Sequence, residues 1–304
     1  VTNPEPGTPE SEPETETGFR SRVLMAGLAA STGMSRYLKT LLGNVPGVQS
    51  RLISVRQDLV DGKWVVMVGG GDPYQVAYAI YYALFDVNNL GAPLIRIAGI
   101  TNNNPAVVTT EFNHNLTTGD VKLIRDVLGM TQINNDEYPV TVMSPTTFSI
   151  GVDSTDWGVY TGGGTVSPNP IVNPVSIVDY PDTYVINYIV PVLELVNISV
   201  QWATDFPNYV SAASISSLVT PALVDYINSL AAGTTPINIY DMTALFLDTV
   251  APIIPSESIT SLNFAVSVNG IGVAPPPGGG VIYGDPNSYF YTDSAHVQIL
   301  ESTR

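Results

Sequence analysis

Leu193-Glu194-Leu195-Val196-Asn197-Ile198-Ser199-Val200-Gln201-Trp202-Ala203 decides how this 304-residue chain is read. Val196, Ile198, Val200 and Trp202 share one parity, and Asn197, Ser199 and Gln201 share the other. A period of two predicts a strand with one buried face. After Phe206-Pro207 the period becomes helical over 212–231, with Ile215, Leu218, Val219, Leu223, Ile227 and Leu230 on the apolar side. Pro221 either kinks that stretch or restarts it with Thr220 as N-cap. Asp241 is expected to cap a short helix over 242–250. Leu262, Phe264, Val266 and Val268 alternate up to Asn269-Gly270, a hairpin signal, and 271–273 forms the return arm. Residues 275–280 read as a loop and 296–300 as a last strand. The region 193–304 is therefore β-α-α-β-β-β.

Upstream, helical spacing appears over 19–28 and again over 35–42, where Tyr37, Leu38, Leu41 and Leu42 form a stripe that Asn44-Val45-Pro46-Gly47 stops. Strands follow at 51–56 and 64–68 around an Asp61-Gly62 turn. Gly69-Gly70-Gly71 leads into Asp72-Pro73, read as N-cap and first helical residue of a helix reaching about Asn88. Its stripe is Val76, Ile80, Leu84 and Val87. From 99 to 164 the texture changes to short strand-like runs (106–110, 121–124, 138–143, 147–152) between turn signals that include Gly162-Gly163-Gly164. Strands return at 175–180 and 184–190. The expected fold is α+β and multidomain: two α/β layer domains with an inserted all-β module, a small barrel or sandwich. Its parts are an extended acidic arm (1–18), an α/β domain (19–98 plus 167–192), the insert (99–166) and a C-terminal α+β domain (193–304).

Only 12% of residues are charged and the net charge is −16. Such a field repels phosphate backbones and anionic membranes, so no nucleic-acid partner is expected. A low charge fraction suits a surface covered by partners. No apolar run is long enough to span a bilayer, so no membrane insertion is expected. The chain has no cysteine, which removes disulfides and thiolate nucleophiles and is a mild argument for cytoplasmic production. It opens at Val1 with a polar stretch and no signal peptide, and the missing Met is read as processing or truncation.

The search for chemistry returns little. His114 and His296 are far apart and form no H-x-x-x-H pair, and there is no G-x-S-x-G elbow. Gly69-Gly70-Gly71-Asp72 could cradle a phosphate at a helix start, but Asp72 would put a carboxylate there and no P-loop Lys follows. Asp153 and Asp156 sit on a turn-rich stretch beside Trp157 with nothing to raise either pKa. No catalytic, cofactor or metal residues are assigned, no cofactor and no small-molecule substrate are expected, and the chain is read as no enzyme. Tyr74, Tyr78, Tyr81, Tyr82 and Phe85 encircle their helix almost completely; part of the set must be core and the remainder is a candidate interface.

Two resemblances are carried by short motifs. Pro6-Gly7-Thr8-Pro9-Glu10-Ser11-Glu12, then Phe19-Arg20-Ser21-Arg22, Asn44-Val45-Pro46-Gly47-Val48 and the run from Tyr226 to Gly233 resemble baseplate J-like proteins of contractile-tailed phages. That resemblance implies a structural wedge protein of a phage tail baseplate, contacting other baseplate proteins and further copies of itself, located in the virion and assembled in the host cytoplasm. It also implies an N-terminal segment ahead of this chain. Gly99-Ile100-Thr101-Asn102, Leu116-Thr117-Thr118-Gly119-Asp120 and Thr146-Thr147-Phe148-Ser149-Ile150 resemble the FCCH domain of ubiquitin-activating enzymes, implying a small β-barrel and no catalytic Cys. The alternative weighed beside the wedge is a receptor- or carbohydrate-binding β module with Trp157, Tyr160 and Tyr138 as an aromatic platform. A hydrolase would need two acidic side chains facing each other across a cleft.

Overall fold

The computed structural model describes residues 33–58, 62–84, 86–208, 210–233 and 235–302. The acidic arm expected at 1–18, the helix expected over 19–28, and Phe85 lie outside the described residues. Within them the fold is β-rich, with four α-helices: α1 (Ser35–Gly43), α2 (Pro73–Ala83), α3 (Ala212–Ser229) and α4 (Ile239–Val250).

A four-stranded sheet runs in the order Val48–Gln57, Trp64–Gly70, Asp182–Ile189, Val172–Asp179. α1 and α2 cover one face, where Leu38, Leu42, Val66, Val68, Val76, Ile80 and Ile186 form one cluster. Val65, Met67 and Ile189 are buried in a second cluster with Leu52. Strand Trp64–Gly70 is thus covered on both sides, which is why its apolar run is continuous. Asp72 caps α2 as expected, its Oδ1 accepting from Gln75 N at 3.0 Å, with Pro73 first in the helix. The helix stops at Ala83, short of Asn88. Leu84 is extended, and Asp86 Oδ1 accepts from Asn88 N at 2.9 Å to start a separate 3-10 turn at Val87–Asn89. A short acidic side chain that bonds its own backbone competes with helix continuation.

The expected β module is a seven-stranded antiparallel sheet, in the order Asp136–Pro139, Val121–Leu128, Gly162–Ser167, Ile95–Ile100, Val107–Thr110, Thr147–Ser149, Thr141–Ser144. Its two outermost strands are consecutive in sequence, separated only by Val140, so the sheet must curl until its edges nearly meet. Val140 N donates to Asp120 O and its carbonyl accepts from Gly119 N, both at 2.8 Å. Phe148, Ile124, Met130, Ile133, Ile150 and Val166 fill this nearly closed barrel. Two expectations are corrected. The single run expected at 138–143 is two strands on opposite edges, because the chain turns the corner at Val140. Gly162-Gly163-Gly164, read as a turn, lies in a strand; a Cβ on Gly164 would stand 2.7 Å from Val127 Cγ2 and 3.0 Å from Ile97 Cδ1, so glycine permits close approach inside the barrel.

In the C-terminal region, strand Val192–Thr204 pairs antiparallel with Ile259–Val268 and parallel with Ser288–Tyr291 and Val297–Glu301; Ile271–Val273 closes the hairpin on the outer edge. Val196, Ile198, Val200 and Trp202 are all buried, with Ile215, Val219, Leu223 and Ile227 of α3 and Met242, Phe246 and Val250 of α4 in the same cluster. α3 is one helix through Pro221, with no restart at Thr220. α4 begins at Ile239, capped by Asn238, whose Oδ1 accepts from Tyr240 N at 3.0 Å; Asp241 sits in its first turn and is not the cap. Strand Ser288–Tyr291 was not expected: no element is read from the sequence between the loop at 275–280 and the last strand.

Candidate binding surface

The apolar side of α2 sinks Val76, Ala77, Ile80 and Ala83 into the core, so residues 74, 78 and 82, four apart, must share the outer face. Tyr74, Tyr78 and Tyr82 are 53%, 49% and 59% exposed. Their rings form a ladder, with centroids 6.5 Å apart at 16° for Tyr74–Tyr78 and 6.4 Å apart at 20° for Tyr78–Tyr82. Tyr81 is turned the other way. Its hydroxyl donates to Asp179 Oδ2 at 2.6 Å, and its ring lies 5.3 Å from that of Tyr184. The hydrogen bond to Asp179 pushes the Tyr81 hydroxyl up to about 12. Of the five aromatic candidates, then, three form an open ladder, one pins the helix to the sheet, and Phe85 is outside the described residues.

The other candidates resolve into structural roles. Asp72 fills the start of α2 with its own carboxylate, leaving that helix end no free place for a phosphate. His114 is buried, with Nε2 donating to Ser144 O and Nδ1 accepting from Leu116 N, both at 3.0 Å, and its ring edge-on to Phe148. Burial lowers its pKa, and an Nδ1 that accepts a backbone N–H belongs to the neutral ring of a core histidine. His296 pairs with Asp293 at 2.7 Å across a single turn. Asp153 is held low by the Thr155 hydroxyl and amide in an exposed turn, and Asp156 is exposed beside it. The carbohydrate platform is corrected: Tyr138 is buried, and Trp157 and Tyr160 pack against the barrel core, with Tyr160 Oη donating to Ile97 O and Gly163 O at 2.9 Å. These rings hold the barrel together and present no open face.

One cluster escaped the sequence. Glu194, 4% exposed, meets the loop at Asp285. Its Oε1 accepts from Asp285 N at 3.3 Å and from Asn113 Nδ2 at 3.5 Å, while Oε2 has no hydrogen-bond partner. Asp285 Oδ2 accepts from Asn113 N and Oδ1 from Asn287 N; Arg56 donates to Pro286 O at 2.7 Å and to Asn287 Oδ1. Strand Val48–Gln57, the barrel loop at Asn113 and strand Val192–Thr204 are fastened together here. The parity of residues 193–203 carried the signal, since Glu194 falls on the buried side with Val196 and Trp202. A cavity of about 40 Å³ beside Asp285 and Ser288 has room for a water or two, and Arg56, Asn113, Pro286 and Asn287 line a larger open cleft of about 450 Å³. Among the described residues, no group of three or more His, Cys, Asp or Glu could hold a metal ion, and no helix is long and apolar enough to cross a membrane.

Burial lifts the Glu194 carboxyl above the ordinary range, and burial also lifts Asp285 against the pull of Arg56. A raised acid pKa in the folded state means that the stabilising contribution is full below the unfolded value and is lost as pH rises through the folded one. Glu194→Gln mimics the protonated side chain. It is expected to raise stability at neutral pH by about 1 kcal/mol, with the gain shrinking to nothing near about pH 4, the ordinary Glu range. Urea unfolding midpoints for both proteins across that interval check it; a gain that does not depend on pH would mean that ionisation is not the cause.

Residues 103–168 match the family model described as "Ubiquitin-activating enzyme E1 FCCH domain". A stretch of 72 residues is 43% identical to "Ubiquitin-like modifier-activating enzyme 6" of Homo sapiens and a stretch of 72 residues is 42% identical to that of Mus musculus. Each match covers 23% of this chain and 7% of the relative. The matched region takes in six of the barrel's seven strands, in agreement with the FCCH resemblance of the insert. The baseplate resemblance is overturned: the matching family and relatives are ubiquitin-activating enzymes, and no baseplate family matches. Its motifs were short and generic. Asn44-Val45-Pro46-Gly47 is a helix-to-strand turn with Gly47 at φ +84°, and the 226–233 run is the end of α3 and the turn after it. The wedge function, the baseplate partners, the further copies and the virion location rested on those motifs and fall with them. What the comparisons show is a β module at residues 103–168 that is similar to the FCCH domain of ubiquitin-activating enzymes.

Proposed function

We propose that this chain is a non-catalytic polypeptide-binding protein, and that the tyrosine ladder of α2 is its docking face. The observation that carries this is three stacked, half-exposed rings at positions 74, 78 and 82 on a helix whose opposite side is fully committed to the core. Exposed tyrosines in a row supply large contact area at low cost in side-chain entropy, the composition that binding faces favour. The non-catalytic part has its own support. The buried acids, Glu194 and Asp285, are tied to backbone donors, and a thioester step would need a thiolate that these 304 residues lack. We also propose the division into an α/β domain (19–98 plus 167–192), an inserted barrel (99–166, its first and last strands reaching Ile95 and Ser167) and a C-terminal α+β domain (193–304), supported by the barrel's own core cluster. The names of the relatives make a ubiquitin-like modifier the first protein partner to assay.

The test is a binding panel of ubiquitin and short extended peptides of varied charge, titrated against the full chain and against the Tyr74→Ala/Tyr78→Ala/Tyr82→Ala variant. Saturable binding that weakens at least about tenfold in the variant is expected, the size of a tyrosine-centred hot spot. Equal binding by the two proteins, with unchanged circular dichroism, removes the ladder from the function.

A further inference from the structure

We infer that the ladder takes an extended cationic segment with arginines at alternate positions; this rests on the binding role proposed for α2 and names its ligand. Three observations converge. The first is register. The rings repeat every 6.4–6.5 Å along α2. Alternate side chains of an extended chain repeat every ~6.6–6.8 Å. A strand laid along the helix would therefore bring residues i, i+2 and i+4 over successive rings.

The second is charge. α2 itself, Pro73–Ala83, contains no charged residue, and carboxylates frame it: Asp72 just before it, Asp86 three residues after it, and Asp179 bonded to Tyr81, all exposed. Among the described residues, α1, which packs against α2, carries the basic groups Arg36 and Lys39. The chain as a whole carries −16. A cation approaching the ladder is drawn in by this field, and an anion is turned away.

The third is chemistry. The faces of tyrosine rings are electron-rich, and a flat guanidinium stacks on such a face while keeping its N–H groups free for carboxylates at the rim. Lysine can do the first more weakly and cannot do the second in the same plane.

The experiment uses the full chain and three capped peptides: one with three arginines alternating with threonine, one of the same composition with the arginines consecutive, and one with lysine in the alternating positions. The alternating arginine peptide is expected to bind at least about tenfold tighter than its block isomer, the size of a few exposed cation–π contacts realised together. Binding should be lost in Tyr78→Ala and kept in Tyr78→Phe, which preserves the ring face. Equal affinity for the two arginine isomers, or indifference to Tyr78→Ala, overturns the inference. If an arginine-free peptide binds and is lost in the triple tyrosine variant, the docking face stands and only its proposed ligand falls; if nothing binds the ladder, both fall.

Discussion

Replacing Trp202 by alanine is expected to cost about 3–5 kcal/mol, the upper end for a buried side chain. Trp202 is fully buried, at the centre of the cluster that joins strand Val192–Thr204 to α3 and α4, with its ring 6.5 Å from that of Phe246. Truncation leaves a void in a cluster rich in β-branched side chains, Ile215 and Val219 among them, which have few rotamers with which to fill it. Trp202→Phe should be far milder, about 1 kcal/mol, because it keeps most of the apolar volume and also removes an indole N–H that has no hydrogen-bond partner. Denaturant unfolding read by hydrogen exchange along Val192–Thr204 measures the loss where it arises. The barrel, with its own core around Phe148, should keep its protection in both variants. A loss in the alanine variant no larger than in the phenylalanine one would place Trp202 outside the core.

The same strand shows how far reading from sequence can go. Its parity alone identified the buried set Val196, Ile198, Val200 and Trp202, because a half-buried strand writes its environment into every second residue. The start of α2 was equally legible, since an Asx cap followed by Pro is local chemistry. What failed was whatever depends on where distant segments meet. The break at Val140 follows from barrel closure, and Gly162-Gly163-Gly164 looks like a turn until Val127 and Ile97 are known to press on it. Glu194 was visible as an acid on the apolar parity, yet its partners Asp285 and Asn113 lie 91 and 81 residues away. The aromatic set on α2 was noticed, but which rings face out was decided by Asp179 drawing Tyr81 to the sheet. The motif resemblance to baseplate proteins failed for a different reason: turn and helix-end motifs report local geometry, which many unrelated chains share.

Gly70→Ala is expected to be nearly as damaging as the loss of Trp202, on the order of 3–4 kcal/mol, the sum of a left-handed backbone penalty and a forced backbone shift. Gly70 ends strand Trp64–Gly70 at φ +85°, and a Cβ there would lie 2.2 Å from the carbonyl oxygen of Gly47. That atom belongs to main chain and cannot rotate away, so the turn at Asn44-Val45-Pro46-Gly47 and the edge of the sheet would have to part. Gly278 supplies the control. Its φ is +79° and a Cβ would meet nothing within 4 Å, so Gly278→Ala carries only the backbone penalty of about 1 kcal/mol. The difference between the two variants, measured by thermal or urea unfolding, isolates the close approach of Gly47. It also separates two accounts of the glycine run. If Gly69-Gly70-Gly71 existed to cradle an anion, adding millimolar phosphate would raise the stability of the wild-type chain by mass action and leave Gly70→Ala unmoved. Main-chain packing requires the opposite: a large loss in Gly70→Ala and the same stability of the wild type with or without phosphate, as expected where Asp72 already holds the start of α2.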